Sequence, residues 1–383
     1  MLTSKTGLCK NFKGDRPCKY YWVDREHDCL DSDSMCYEEY SHRILLIKLD
    51  ALGDVVRSTV LAEGIKKKYP NSELIWMTMK DARLFIESNP FIDRVLEYND
   101  ENVRILQCQE FDIIINLDKD AKATSMITLF NSDDKRGYGL SAKGHPFPLN
   151  DGTKYHYDIC LDNWGAKQRN TKTYQEMIFE SSELEYDNEK MIINLDEIKY
   201  ENFRDDFYTK NGIGKEDNII LLNTGCGSVY PHKKWTYDGY KELIGNLLND
   251  SNNKIVLAGA DAEIERNTKL LNEYKSVNVI DTTNRYTVEE FCFLVNLSKV
   301  VVTGDTMALH LAIAFEKDII TFYGPTPYQE TDLLGLGKKF VRKELDCLSC
   351  HDQFPCPYDG RCMSLISAES VFNEIKKMLY LTT

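Results

Sequence analysis

Hydrophobic residues along the chain alternate between short continuous runs and stretches with helical spacing. The first run, RILLIKL, begins at Arg43 and is typical of a buried parallel strand. A DALGD turn follows, and VVRSTVLAEGIKKKYP then has the spacing of an amphipathic helix that ends at Pro70. The same order returns with a strand at 72–79, a helix around 82–88 and a strand at 111–118. This alternation predicts a mostly parallel sheet with crossing helices.

A second alternation begins after the polar stretch at 181–203. Its predicted strands are 218–223, 254–260, 277–281, 300–305 and 318–324, and its predicted helices are 237–248, 263–274, 288–298 and 308–315. We therefore predict an α/β protein with an N-terminal arm (1–42), two tandem domains (43–190 and 191–365) and a terminal helix (366–383). Two such domains leave a cleft between them, and parallel sheets bind ligands beyond the carboxyl ends of their strands.

Composition narrows the class of protein. The 383 residues suffice for about two to three domains, and 42% hydrophobic with 11% aromatic residues excludes a disordered or fibrous chain. A formal net charge of −14 argues against nucleic acid or an anionic membrane as the main partner. No apolar span of about 18 residues occurs, and the first residues lack a signal-peptide core, so we expect a cytoplasmic chain.

Twelve cysteines are present, and in a reducing compartment clustered ones are better interpreted as metal ligands than as disulfides. Four lie within the sixteen residues 347–362, and they are Cys347, Cys350, Cys356 and Cys362. This spacing favours a structural site for zinc, mononuclear iron or an iron–sulfur cluster. The arm holds a weaker candidate set with wider gaps, Cys9, Cys18, Cys29 and Cys36. Three further cysteines in apolar segments are predicted to be core thiols, Cys108, Cys160 and Cys292.

The turn at 49–54 joins the first predicted strand to the first helix. Asp54 lies in the first turn of that helix, where a carboxylate is either a helix cap or a general base, and position alone favours capping. Asp50 is the nearest alternative for an acidic role.

Two loops of the second half are candidate anion sites. The first follows strand 218–223 and offers Thr224, Gly225, Gly227, Ser228 and then Lys233, so that amides, hydroxyls and an ammonium converge. It is not a Walker loop, because GxxxxGK[ST] does not occur in the sequence. The second runs from strand 300–305 into a helix and offers Gly304, Asp305, Thr306 and His310. Considered singly, Thr306 is most simply a cap and His310 a buried histidine.

Taken together, these motifs resemble glycosyltransferase family 9, the bacterial heptosyltransferases, over about residues 43–375. The segments that carry the resemblance are RILLIKLDALGD, KKKYPNSELIWMT, ESNPFIDRVLEY, HKKW, GDTMALHLAIA, TFYGPTPY and RCMSLISAESV.

The resemblance implies a GT-B architecture, with two Rossmann-like domains facing a cleft. The acceptor would bind mainly to domain 43–190 and the sugar nucleotide to domain 191–365, with the terminal helix crossing back. It also implies that Asp54 is the catalytic base, that Lys233 contacts the donor phosphates, and that the segment of Asp305, Thr306 and His310 surrounds the donor. Met307 stands where the family usually has glycine. The implied reaction is an inverting transfer of heptose from ADP-heptose without a divalent ion.

The acceptor stays open among a lipopolysaccharide core, a related glycan and a protein hydroxyl, as do peripheral membrane contact and self-association. The extra cysteines resemble those of iron-binding, oligomeric members that transfer heptose to proteins. Two other classes stay open: a sugar-nucleotide hydrolase or epimerase, and a non-catalytic metal-binding relic of the fold.

Overall fold

A computed structural model describes residues 9–14, 16, 18–20, 37–161, 169–227, 231–351 and 356–380. Its first half forms a six-stranded sheet in the order β3-β2-β1-β4-β5-β6. The strands are β1 (His42–Ile47), β2 (Ser72–Thr78), β3 (Arg94–Glu97), β4 (Ile113–Asn116), β5 (Asp134–Leu140) and β6 (Pro146–Pro148). All neighbouring pairs are parallel except β5 and β6.

The second half repeats this arrangement in the order β12-β11-β10-β7-β8-β9. Its strands, all parallel to their neighbours, are β7 (Asn218–Asn223), β8 (Asn253–Ala258), β9 (Val279–Asp281), β10 (Val300–Gly304), β11 (Asp318–Tyr323) and β12 (Gly337–Val341). The predicted α/β class is therefore confirmed, with one doubly wound sheet in each half.

Helices cover the faces of both sheets. In the first half they are α1 (Leu52–Ser58), α2 (Val60–Lys68), α3 (Asp100–Gln107), α4 (Ala121–Leu129), α5 (Asp151–Leu161), α6 (Tyr174–Ser181) and α7 (Glu197–Asn211). In the second half they are α8 (Tyr237–Leu247), α9 (Ile264–Tyr274), α10 (Val288–Leu297), α11 (Met307–Ala314), α12 (Arg361–Ser364) and α13 (Ala368–Tyr380). Among the described residues, no helix is long and apolar enough to cross a membrane.

One apolar core joins the two halves. It contains inward-facing residues of β1 and of β10, for example Ile44 and Val301, together with Leu309 and Leu311 of α11. Helix α11 packs against α1 across the junction. The contact holds the start of α1, with Asp54, against the start of α11, and thereby fixes where the two halves meet.

The structure departs from the predicted elements in a few places. The helix expected to run to Pro70 is broken at Thr59, because the Ser58 hydroxyl donates to the Asp54 carbonyl at 2.6 Å and the Thr59 hydroxyl to the Val56 carbonyl at 2.8 Å. The helix expected around 82–88 is a 3₁₀ segment, Lys80–Phe85.

Two further predictions are corrected. The terminal helix expected to cross back instead packs on the second sheet as α13, because its apolar face, including Val371 and Ile375, joins the core of that half. Of the three predicted core thiols, only Cys292 is buried, whereas Cys160 is partly exposed. Cys108 is exposed, since it follows the last turn of α3.

Candidate active site

The candidate site residues of both sheets lie at the point where the strand order reverses. In the first sheet this point lies between β1 and β4, and in the second between β7 and β10. Asp54 follows β1 and Asp118 follows β4, while Thr224 follows β7 and Asp305 follows β10. Loops at such a point diverge to opposite faces and leave a crevice for ligands.

Asp54 does not cap helix α1, whose cap residue is Ala51. The Asp54 carboxylate instead binds Arg57 one turn later, with Nε at 2.9 Å and Nη2 at 2.8 Å from Oδ1. Burial alone would raise the pKa of Asp54, but the Arg57 guanidinium and the Lys48 ammonium lower it well below the usual range. Asp54 is therefore a carboxylate at any physiological pH. The rival residue Asp50 is exposed.

Lys48 and Asp118 form a buried ion pair under the turn that carries Asp54. The second oxygen of Asp118 accepts from the Leu49 amide at 2.5 Å, and the Lys48 ammonium also donates to the Asp50 carbonyl. Burial lowers the pKa of Lys48, but the carboxylates of Asp118 and Asp54 outweigh it and raise that pKa. This network holds the turn at residues 49–54 in place.

In the second half, on the other side of the α1–α11 contact, Lys233 binds Asp305. The Lys233 ammonium lies 3.1 Å from Asp305 Oδ2 and 3.1 Å from the Asp305 carbonyl oxygen. Burial opposes ionisation of Asp305, but Lys233, with His310 and Arg57, lowers its pKa below the usual value. The predicted pair of donor-site loops is thus brought together by a salt bridge.

His310 is buried beside this pair, with its Nε2 3.9 Å from Asp305 Oδ1. Burial and the Arg57 guanidinium lower the pKa of His310 to about 4, so the ring is neutral near pH 7. Its Nδ1 has no hydrogen-bond partner among the described residues. A buried ring nitrogen in this state is available to a ligand.

Thr306 is the N-cap residue of α11, but its side chain makes no capping hydrogen bond. Its hydroxyl lies 3.0 Å from the Thr303 hydroxyl and accepts from Asn223 Nδ2 at 3.1 Å. The first amides of this helix therefore have no side-chain cap, which suits an anion.

The glycine-rich loop has a more structural role than its sequence suggests. The Thr224 hydroxyl donates to Asn267 Oδ1 at 2.7 Å inside the protein, so it is not offered to a ligand. Gly225 lies against the buried Glu263 side chain, Gly227 adopts a φ of +73°, and Ser228 falls outside the described residues. A Cβ at Gly304 would lie 2.8 Å from the Lys233 carbonyl oxygen, so glycine allows the two loops to approach.

Among the four cysteines of residues 347–362, Cys362 is close enough to the other three for their charges to interact. Burial and the neighbouring thiols of Cys350, Cys347 and Cys356 raise the pKa of Cys362 to about 12. Within the described ranges, however, no three His, Cys, Asp or Glu side chains form a group that could hold a metal ion. Of the arm cysteines, Cys9 and Cys18 are described, whereas Cys29 and Cys36 lie outside the described residues.

Several cleft residues were missed by the sequence analysis. Arg57 stacks on the Tyr174 ring at 3.5 Å, and Tyr174 is held at the start of α6 by a Thr173–Glu176 capping box. Glu330, in the 3₁₀ segment Tyr328–Glu330, lies close enough to Arg57 for their charges to interact. Lys48 and Asp118 could have been found, since each charged residue interrupts or ends a buried strand at its carboxyl end. Tyr174 carries no local signal, because it is 117 positions from Arg57.

The sequence profile of glycosyltransferase family 9 (heptosyltransferase) matches residues 102–357. The chain belongs to this family. It is therefore a glycosyltransferase, and the resemblance carried by the motifs is confirmed at the level of the family. The cysteine-rich metal-binding branch stays a prediction.

Curated members of glycosyltransferase family 9 are similar to the chain at low identity. Lipooligosaccharide heptosyltransferase 2 of Campylobacter jejuni is 25% identical over 180 residues, which cover 46% of this chain and 55% of that protein. The chain thus matches little more than half the length of that relative. The lipopolysaccharide core heptosyltransferase OpsX of Haemophilus influenzae is 21% identical over 366 residues, which cover 89% of this chain and 98% of OpsX.

Two solved structures of glycosyltransferases share the fold. The ADP-heptose lipopolysaccharide heptosyltransferase II of Escherichia coli has a TM-score of 0.64 at 16% identity, covering 88% of this chain and 99% of that one. The iron-containing dodecameric glycosyltransferase TibC of enterotoxigenic E. coli H10407 has a TM-score of 0.55 at 11% identity, covering 90% and 77%. The family's GT-B arrangement of two sheets is therefore that of this chain.

Proposed function

We propose that this protein transfers heptose from ADP-heptose to a hydroxyl of a glycan acceptor with inversion at the anomeric carbon. The observation that carries the proposal is that two groups of residues, here called the half-sites, meet at the contact between α1 and α11. The first half-site is Asp54 with Arg57, and the second is Lys233, Asp305 and His310 with the start of α11. The ionised Asp54 lies beside the start of α11, where the uncapped helix, Lys233 and His310 are suited to a diphosphate. The names of the family relatives, which are heptosyltransferases, support heptose as the sugar.

In the proposed step, Asp54 accepts the proton of the acceptor hydroxyl. The acceptor oxygen forms a bond to the anomeric carbon while the bond between that carbon and the diphosphate oxygen breaks. The electron pair leaves with ADP, and the sugar inverts because attack and departure occur on opposite faces. General-base help of this kind contributes about 10²–10⁴-fold to the rate.

In this proposal Lys233 and the amides at the start of α11 stabilise the departing diphosphate. Lys233 is 15% exposed and is held by Asp305, so its ammonium is directed rather than free to rotate in solvent. Arg57 adds a second fixed cation beside the reacting groups. With these charges in place, we expect transfer without a divalent ion.

The names of the relatives support a glycan as the acceptor. They are a lipooligosaccharide heptosyltransferase and a lipopolysaccharide core heptosyltransferase. We therefore propose a lipopolysaccharide-core or related glycan acceptor rather than a protein side chain.

Calorimetric titration tests the donor assignment. The protein, with its metal content determined first, is titrated with ADP-heptose and with ADP-, UDP- and GDP-hexoses. We expect selective binding of ADP-heptose, followed by transfer to core oligosaccharide. Consumption of ADP-heptose at full rate without acceptor would indicate a hydrolase, and no binding of any sugar nucleotide would contradict the proposal.

A structural iron or zinc at the cysteine-rich loop stays a prediction. Four neighbouring thiols and the iron of TibC support it, whereas the described residues are not arranged around one ion. Elemental analysis of the purified protein decides it. No step of the proposed reaction involves this metal.

A further inference from the structure

Arg57 contacts only one oxygen of the Asp54 carboxylate. Its Nε and Nη2 lie 2.9 and 2.8 Å from Oδ1, and both contacts fall on that atom. The other oxygen, Oδ2, has Lys48 Nζ at 3.9 Å, beyond hydrogen-bond distance. Among the described residues Oδ2 accepts no hydrogen bond, so it is the oxygen left to receive a proton.

The guanidinium itself is held from a second direction. Its centre lies 3.5 Å from the Tyr174 ring centroid, within the range of a strong cation–π contact. The Tyr174 hydroxyl lies 3.2 Å from the Ser58 hydroxyl, which ties the ring back to α1. Only 14% of the Arg57 side chain is exposed. Arg57 is therefore fixed by packing on one side and by the carboxylate on the other.

The charges around Asp54 make this contact consequential. Lys48, just after β1, Arg57 in α1 and His310 in α11 face the carboxylate. Lys48 already forms an ion pair with Asp118, and His310 is neutral near pH 7. Arg57 is thus the one cation among these three that Asp54 does not share with another carboxylate at hydrogen-bond distance.

Arg57 is also close to two carboxyl groups of the second half. Asp305 and Glu330 act on its charge. A donor diphosphate would add further negative charge at this place. Without Arg57, the Asp54 carboxylate would face these groups with little compensation, and protonation would relieve the repulsion.

We propose that Arg57 is a positioning residue that keeps Asp54 ionised and directs its Oδ2 toward the acceptor hydroxyl. The inference rests on the proposed role of Asp54 as the base. Proton transfer then runs from the acceptor oxygen to Oδ2, while Oδ1 stays bound to the guanidinium. The cost is a weaker base, which is offset because the hydroxyl proton becomes acidic as the new C–O bond forms.

The dependence of kcat on pH, at saturating ADP-heptose, tests this inference. We expect the wild-type kcat to stay level on the acid side down to about pH 5. In Arg57→Gln the pKa of Asp54 should rise, so kcat should fall about tenfold per pH unit below that pKa. Arg57→Lys keeps a cation, so kcat should again stay level at low pH. Its value should be lower than in the wild type, because lysine cannot make the two guanidinium contacts to Asp54 Oδ1. The matched control is Arg104→Gln, at an exposed position of α3.

A second measurement separates this inference from the proposed function. Carbon-13 NMR of the Asp54 carboxyl, assigned with Asp54→Asn, reports its titration in the free protein without any turnover. A higher midpoint in Arg57→Gln than in the wild type supports the inference even if no heptose is transferred. An unchanged midpoint, or a uniform loss of kcat with an unshifted pH profile, would overturn it.

Discussion

The two half-sites that meet at the α1–α11 junction use charge in different ways. In the first half, Asp54 and Asp118 are each paired with a buried or nearly buried cation, Arg57 and Lys48. In the second half, one salt bridge between Lys233 and Asp305 is surrounded by groups with unused hydrogen-bonding capacity. The two carboxylates of the first half thus have their counter-ions in place. In the second half, among the described residues, His310 Nδ1 has no hydrogen-bond partner and the start of α11 has no side-chain cap.

The difference fits the proposed roles, in which the first half supplies the base and the second half binds the diphosphate. A preorganised ionised carboxylate needs its counter-ions in place before the substrate arrives, because reorganising them during the reaction costs free energy. A binding site for a diphosphate instead needs donors that are free until the ligand binds.

The largest effect is expected for Asp54→Asn. The substitution removes the proton acceptor while keeping the size of the side chain, so kcat should fall by about 10²–10⁴-fold. Donor binding, measured by calorimetry, should change little, because the proposed diphosphate ligands Lys233 and the amides of α11 lie in the second half.

The control for this change is Asp50→Asn, in the same turn but at an exposed position. It should retain most of the activity. An equal loss of donor affinity and turnover in Asp54→Asn would contradict the proposal that the first half-site acts as the base and the second binds the donor.

How much of the site the sequence predicts depends on how far apart along the chain the contacting residues lie. Buried apolar runs and glycine turns are local signals, so the strands β1, β4, β7 and β10 and the loops at their ends were predicted correctly. Asp54, Lys233 and His310 were singled out because their motifs are local too. Asp305, the partner of Lys233, was singled out in the same way. Arg57 and Lys48 were not, since Arg57 on Tyr174 and Lys48 on Asp118 are contacts between distant segments.

Local patterns also mislead where a residue can serve two purposes. Thr224 was expected to contact the donor, but its hydroxyl is used by Asn267, 43 positions away. Thr306 was most simply a cap, but its hydroxyl is used by Asn223. In both cases a long-range polar partner decides the role of the hydroxyl, and no spacing rule contains that information.

The second prediction concerns Lys233→Ala. Loss of a charge-assisted contact to the diphosphate should weaken ADP-heptose binding by about 1–3 kcal/mol, with a smaller effect on kcat at saturating donor. Isothermal titration of ADP-heptose and of ADP measures it, and both should weaken alike if the contact is to the diphosphate.

The next residue in the chain, Lys234, offers a matched control. Lys234 lies 2.6 Å from Glu263, a side chain that is only 1% exposed. Lys234→Ala should therefore lower the melting temperature, since it leaves a buried carboxylate unpaired, while donor affinity changes less than in Lys233→Ala. A larger loss of donor affinity in Lys234→Ala than in Lys233→Ala would show that Lys234 is the donor ligand and that it takes the place of Lys233 in the second half-site.

The smallest effect is expected where the two half-sites touch. A Cβ at Gly53 would lie 3.1 Å from His310 Cδ2 and 3.3 Å from the Met307 Cα, so Gly53→Ala should push α1 and α11 slightly apart. We expect a loss of about 1 kcal/mol in the free energy of unfolding and a few-fold lower kcat, measured by thermal melts and initial rates. Gly214→Ala, at an exposed glycine with no close neighbour except Asp217 at 3.7 Å, is the control. If Gly53→Ala lost stability but kept full kcat, the junction would be a packing contact only, and the half-sites would tolerate separation because the substrate itself brings them together.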